Sequence, residues 1–288
     1  MNEKELSKIV SQSVRKTLES QGVKAPVNEV AVVKEKGPTF LKEAVILTTK
    51  TFVLKTEFQS NTTKENHFKL YKSSVDSFNR LSSKLDTIDK IKDPNNANDS
   101  EFRRLKEDQQ QNLNSVKLHE LYFDNISDLG SNIGMDSIPF MRLARDWGSF
   151  ENWQFDFRAC GMAATEGWAI LYWEPFKQRL LNCFVEKNSV GVPVGGIPLL
   201  VIDTWHHAWF RDYPESPEGK LNYLNAFMRE VNWAVVEARM VIAERSNVQQ
   251  IFAIKAIAAS DTDRMTGQIR VSNAAPIDKT QVTTKIGV

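Results

Sequence analysis

Residues 199–210 read Leu199-Leu-Val-Ile-Asp203-Thr-Trp205-His-His207-Ala-Trp-Phe210. The apolar run 199–202 predicts a buried strand. It stops at Asp203, and His207 follows four residues on, where the pattern predicts a helical turn. A strand end feeding a helix start can aim a carboxylate and an imidazole at one point. Asp with His is a hard/borderline donor pair that suits iron, manganese or zinc. The plainer alternative is that Asp203 caps the turn and His207 only packs. The other histidines bear on that choice, because the chain has only four: His67, His119, His206 and His207.

Two of them sit on elements that could bring them together. His67, Tyr71, Val75, Phe78, Leu81, Leu85 and Ile88 recur every three or four residues, which predicts one face of a long helix. Thr62 or Thr63 can cap it, with Glu65 in the first turn. Residues 93–100 (Asp-Pro-Asn-Asn-Ala-Asn-Asp-Ser) break the pattern, and Asp99 or Ser100 can cap the next helix. Phe102, Leu105, Val116, His119, Phe123 and Ile126 mark its apolar side. Gln109 to Asn112 are polar, so its early part is expected to be solvated. Two long helices joined by a short polar loop make an antiparallel hairpin. That geometry can place His67 beside His119, since each lies on an apolar face. A lone histidine on such a face is usually a satisfied core residue. Two on facing helices, with an Asp/His pair elsewhere, suggest a shared site.

Farther along, residues 127–145 contain Gly, Ser and Asp and are expected to connect two domains. Residues 149–164 predict a helix with Phe150, Trp153, Phe157 and Cys160 on one side. Residues 168–173 and 179–186 read as strands, and the strand ending at Asp203 completes three. Residues 223–243 predict one final helix. The expected fold class is α+β: an N-terminal antiparallel α-hairpin plus a C-terminal α/β domain with a three-stranded antiparallel sheet. The expected division is 1–58 as an N-terminal extension, 59–130 as the α-hairpin domain, 131–243 as the α/β domain carrying the metal site and 244–288 as a C-terminal extension.

Composition bounds the rest. The chain has 288 residues, 41% hydrophobic, with seven Trp and sixteen Phe, enough for a large core. Net charge is +1 with no basic face, which argues against a nucleic-acid partner. No apolar stretch approaches the roughly 18 residues of a membrane span. Cys160 and Cys183 lack C-x-x-C spacing and are expected to be buried, reduced thiols of an intracellular protein. The N-terminus has neither the apolar core of a secretory signal nor a transit-peptide composition. Leu6, Ile9, Val10, Val14 and Leu18 predict a short amphipathic helix over residues 2–20. A loosely patterned linker follows to Pro38, and residues 39–58 suggest an extended arm. The tethered helix suits docking to an assembly partner, and it is similar to the short helices that target cargo enzymes into bacterial microcompartments.

The order helix–His, helix–His, helix, three strands, then Asp203-x-Trp205-x-His207-Ala resembles the iron/manganese superoxide dismutases. The resemblance runs from about Ser60 to Met240. Ser60-Asn-Thr-Thr-Lys-Glu-Asn-His67 is similar to the family's first-ligand segment, and His119-Glu-Leu-Tyr-Phe-Asp-Asn to its second. Trp147-Gly-Ser-Phe-Glu, Glu166-Gly-Trp168-Ala, Pro198-Leu-Leu and Val231-Asn-Trp233 resemble its linker, strand, pre-ligand and closing-helix segments. The resemblance implies one iron or manganese ion per chain, with His67, His119, Asp203 and His207 as ligands. It implies superoxide as substrate, one molecule oxidised to dioxygen and a second reduced to peroxide.

The surroundings of that site depart from the family's pattern. Active members place a Gln against the metal-bound solvent from one of two positions. Here these are Ser115, one turn before His119, and about Ser189 in the loop before the third strand. The gateway Tyr is replaced by Val75, its neighbouring His by Tyr71, and the Trp after the second ligand by Phe123. His206 stands where the dimer contact has a Glu, and Phe210 where it has a Tyr. Trp168, Trp205 and Trp233 are retained. Two functions follow: a divergent superoxide dismutase, or a dismutase-fold structural subunit of a larger assembly with weak or no activity. A homodimer is expected to use a non-standard interface, or the core to be monomeric.

Overall fold

The computed structural model describes residues 42–44, 46–93, 99–127 and 132–246. The expected amphipathic helix over 2–20, its linker and the chain from 247 onward lie outside these described residues.

Helix α1 spans Asn61–Leu85. Its cap is Ser60, whose hydroxyl accepts the Thr63 N–H at 3.3 Å, so the helix starts before the expected Thr62 or Thr63. His67, Tyr71, Val75, Phe78, Leu81 and Leu85 are buried along one face, as helical spacing dictates. Helix α2 spans Glu101–Asn125, capped by Ser100, and lies against α1. Its early part is less solvated than its polarity suggests. Gln109 is buried and donates to Ser82 Oγ across the hairpin at 2.8 Å, which satisfies the amide.

Residues 46–58, with Glu43 and Ala44 before them, carry no helix or strand and form an arm fastened to α1. Asp86 accepts the backbone N–H groups of Glu43 and Ala44. Asn79 holds both backbone groups of Leu47, accepting its N–H at 2.8 Å and donating to its carbonyl at 2.9 Å. The Tyr71 hydroxyl accepts the Lys50 N–H at 3.0 Å and donates to Glu120 on α2 at 2.9 Å. An arm without its own ladder thus meets its backbone requirement through side chains.

The expected connection at 127–145 contains a helix, α3 (Ile138–Trp147). Ser137 caps it, Pro139 sits in its first turn, and Gly148 ends it at φ 82, a left-handed conformation that glycine adopts without penalty. Helix α4 follows (Phe150–Ala163). The sheet is antiparallel with order β2-β1-β3, comprising β1 (Gly167–Glu174), β2 (Arg179–Glu186) and β3 (Ile197–Asp203). Central β1 is buried from Gly167 to Trp173. Gly167 is required there, since a Cβ would lie 1.9 Å from the Val185 carbonyl oxygen. Pro198 is tolerated because β3 is an edge strand and its pairing is irregular at Leu171/Tyr172.

After the single turn α5 (His206–Trp209), the expected last helix is in fact two, α6 (Pro217–Arg229) and α7 (Trp233–Arg245). The break has no Gly or Pro. Asn125 accepts the Asn232 N–H at 2.8 Å through its carbonyl, and the Asn232 side chain caps α7. Arg239 on α7 then donates to Leu121 O, Leu199 O and Asp124, joining α7 to α2 and β3. Asn125 Oδ1 also accepts the Val201 N–H at 3.0 Å. Hairpin and sheet therefore meet through one buried core and these polar ties. Both cysteines are free and half-buried. No helix among the described residues is long and apolar enough to cross a membrane.

Asn79→Ala removes both bonds to Leu47 and leaves α1 intact. The expected loss is about 1–3 kcal/mol of unfolding free energy, read from urea denaturation; an unchanged midpoint would mean the arm is not held there.

Candidate metal centre

Three separate segments deliver four side chains to one point. His67 projects from the second turn of α1 and His119 from the C-terminal half of α2. Asp203 is the last residue of β3, and His207 lies on α5. One donor atom from each falls within 4.8 Å of all the others. Asp203 Oδ2 is 2.9 Å from His67 Nε2, 3.3 Å from His207 Nε2 and 3.9 Å from His119 Nε2. Ligands bound at about 2.0–2.2 Å around one ion are separated by comparable distances.

Asp203 does two things at once. Its Oδ1 accepts the Trp205 N–H at 2.8 Å and so shapes the turn into α5. Its Oδ2 is left for the imidazoles. The Asp203 carbonyl accepts the Tyr223 hydroxyl at 2.8 Å, and Gln59 Nε2 donates to Ala208 O at 2.6 Å. Tyr122 bridges these two supports, donating to Gln59 Oε1 at 3.1 Å with Tyr223 OH 3.3 Å away.

The donor set fits a cation. His67, His119 and Asp203 are buried, and the His207 side chain is 30% exposed, so the pocket meets solvent on that side. The buried Nε2 atoms of His119 and His207 have no hydrogen-bond partner in the protein. Unpartnered buried nitrogens converging beside a carboxylate are costly unless something else engages them. Burial pushes the His119 imidazole down to about 3, with His67 adding to the effect. Burial also lowers His67 despite its contact with Asp203. Burial opposes ionisation of Asp203, yet His207 and His67 hold its carboxyl well below the usual range. Neutral imidazoles and an ionised carboxylate are the forms that bind metal.

An aromatic wall surrounds the cluster. Phe123 is buried with its ring centroid 5.3 Å from His67 and 5.9 Å from His119. Trp168 and His119 meet edge to face at 5.0 Å, and Trp205 stacks on His207 at 6.1 Å. Tyr71 and Val75 are buried in the same core, while His206 is exposed, 3.8 Å from Glu215. Ser115 is buried and its hydroxyl lies 3.3 Å from His119 Nδ1. Ser189 is elsewhere engaged, its hydroxyl accepting from Gln111 on α2.

The residue beside Ser189 is the one that sequence reasoning missed. Asn188 Oδ1 accepts the Trp168 indole N–H at 2.7 Å. Lys187 and Asn188 both have left-handed backbones, with φ 48 and 65, which turns the chain back at the end of β2. The available signal was the enrichment of Asn in left-handed turns.

The electrostatics give a pH dependence for the metal-free protein. Unfolded His67 and His119 titrate near the ordinary value, about 6.5, whereas in the fold burial lowers both, His119 to about 3. Unfolding in mild acid therefore takes up protons, and stability falls as pH drops below about 6.5. His207 runs oppositely: Asp203 raises it against the effect of burial, so its contribution fades as pH rises. The large lowering at His119 sets the sign. The melting temperature of the metal-free chain should fall between about pH 7 and pH 5, with His119 accounting for about 2 kcal/mol. His119→Gln should flatten the profile; an unchanged slope would contradict the assignment.

Residues 140–239 match the family model described as iron/manganese superoxide dismutases, C-terminal domain. The iron superoxide dismutase of Aquifex pyrophilus is 34% identical over 182 residues, covering 62% of this chain and 83% of that protein. The iron enzyme of Aquifex aeolicus (strain VF5) matches to the same extent, 34% over 182 residues, with 83% of its length covered. Manganese superoxide dismutase 2 of Haloferax volcanii is 34% identical over 122 residues, 42% of this chain and 59% of that protein. By fold, donor set and this shared sequence, the chain belongs to the iron/manganese superoxide dismutases, a family of metal-dependent oxidoreductases.

Proposed function

We propose that the chain dismutates superoxide at one iron or manganese ion held by His67, His119, Asp203 and His207. The observation that carries this is the convergence of four donor atoms within 4.8 Å in a pocket closed by aromatic rings. When bound, the ion would supply one-electron chemistry, accepting an electron from one superoxide and returning it to another. Every other part of the task falls to the chain.

Asp203 contributes the one negative charge among the four donors, which moderates the cation's charge while three imidazoles add none. Phe123, Trp168 and Trp205 exclude bulk water, so charges inside interact strongly. The exposed side of His207 leaves an entrance suited to a small anion. Asn188 acts on the site through Trp168, whose indole N–H it accepts and whose ring meets His119. In the family resemblance a Gln orients the bound solvent; Ser115 and Ser189 stand at about those positions, a serine hydroxyl reaches less far, and slower turnover is the expected consequence.

Association follows the same reading. Tyr71 is fully buried with its hydroxyl engaged by Glu120 and Lys50, so it cannot bridge two copies. A homodimer of this chain would therefore be built on other contacts.

The test uses the full chain, loaded separately with iron and with manganese. About one ion per chain is expected, with superoxide consumed faster than by the same concentration of free ion. His119→Ala and Asp203→Ala should each lower metal affinity by more than the roughly 100-fold that outer-sphere changes reach. A chain that retains no metal would overturn the site. One that is fully loaded yet inert toward superoxide would overturn the activity alone.

A further inference from the structure

The hydrogen bonds behind His119 form a chain with one direction. His119 Nδ1 lies 2.7 Å from the Ser115 carbonyl oxygen and 3.3 Å from Ser115 Oγ. A carbonyl only accepts, so the ring proton is on Nδ1 and the Nε2 lone pair faces the other donors. At the far end, Ser74 Oγ donates to the Leu70 carbonyl at 3.2 Å, which uses the Ser74 proton. Ser74 and Ser115 hydroxyls are 2.9 Å apart. Ser74 must therefore accept from Ser115, and the Ser115 oxygen is left to accept the longer branch of the His119 Nδ1–H bond, whose main acceptor is the Ser115 carbonyl. The direction His119 to Ser115 to Ser74 to Leu70 gives every hydroxyl a partner on both sides.

We propose that Ser115 and Ser74 are positioning residues for His119. The Ser115 carbonyl fixes the tautomer; the two hydroxyls hold the ring in the orientation that presents Nε2 and add to its basicity as a ligand. Aligned hydrogen bonds polarise one another, so a donor Nδ1–H that is pulled outward makes Nε2 a stronger base. The pair also has a reach that a single bond to the helix backbone lacks. Leu70 is on α1, three residues after His67, and Ser115 is on α2, one turn before His119. The hydroxyls thus set the spacing of the two helices that each carry one proposed ligand. Ser115 is buried and Ser74 half-buried, so water competes weakly for the inner link. The inference rests on the metal site proposed above.

The probe is Mn(II) added to the metal-free full chain. Affinity is read by competition with a chelator, and ligand geometry by the electron paramagnetic resonance spectrum of the Mn(II) form. Ser115→Ala should weaken binding about 10–100-fold and alter the spectrum, with Ser74→Ala acting in the same direction and less strongly. Ser115→Thr, which keeps the hydroxyl, should restore both readings. The metal-free melting temperature should move by only a few degrees. Parent-like affinity and spectrum in both alanine variants would overturn the proposal while leaving the metal site standing. So would an affinity loss that tracks metal-free stability and is not rescued by Thr, which would mark a packing role. A parent chain that binds no Mn(II) would overturn the metal site itself, and this inference with it.

Discussion

A carboxylate with no access to water is the constraint on which the rest of the structure depends. Asp203 is fully buried at the end of β3. An isolated charge there would cost several kcal/mol even after relaxation. One oxygen takes a backbone N–H of the following turn and the other faces three imidazoles. That arrangement requires a strand to end in one place, a turn to start within two residues, and two long helices to arrive from elsewhere. Removing any of these contributions leaves a charge or an imidazole uncompensated in the core.

The supporting structure is correspondingly polar at its joints and apolar between them. Rings of Phe123, Tyr122 and Trp168 fill the space around the imidazoles, with Phe227 stacked behind Tyr122. The joints are made by Gln59, Asn125, Tyr223 and Arg239, each bridging elements distant in sequence. Hydrogen bonds of this kind add little net stability individually. Their effect is selective, since an alternative packing would strand buried donors and acceptors. Such ties place a cluster of side chains to within an ångström, which apolar contact alone does not do.

Legibility in the sequence followed periodicity. His67 and His119 could be placed because each shares a helical face with bulky apolar residues. Asp203 could be placed because it interrupts an apolar strand. The three strands were readable from the alternation of apolar runs and turns. Residues whose role depends on backbone conformation or on a distant partner were not readable. Asn188 acts from a left-handed turn, which leaves no periodic trace. Gln109 is buried against Ser82 although its neighbours are polar. Helix α3 hides behind a segment rich in turn formers. The α6–α7 break arises from Asn232 bonding to Asn125, 107 residues earlier, and not from a local breaker.

His67 and Asp203 are 136 positions apart in the chain. Closing that distance requires the hairpin and the sheet to have formed and docked, since long-range contacts come late in the ordering of a chain. An ion that needs all four donors would therefore find them together only once the hairpin and sheet have docked, unlike the ion of a zinc finger, whose ligands lie close in the chain. It stabilises the folded state by mass action after the fact. The ion such a pocket would hold would then depend on which ions are abundant when folding ends as well as on its donors. Intrinsic affinity among divalent ions rises from manganese through iron toward copper, so the pocket alone would not favour manganese.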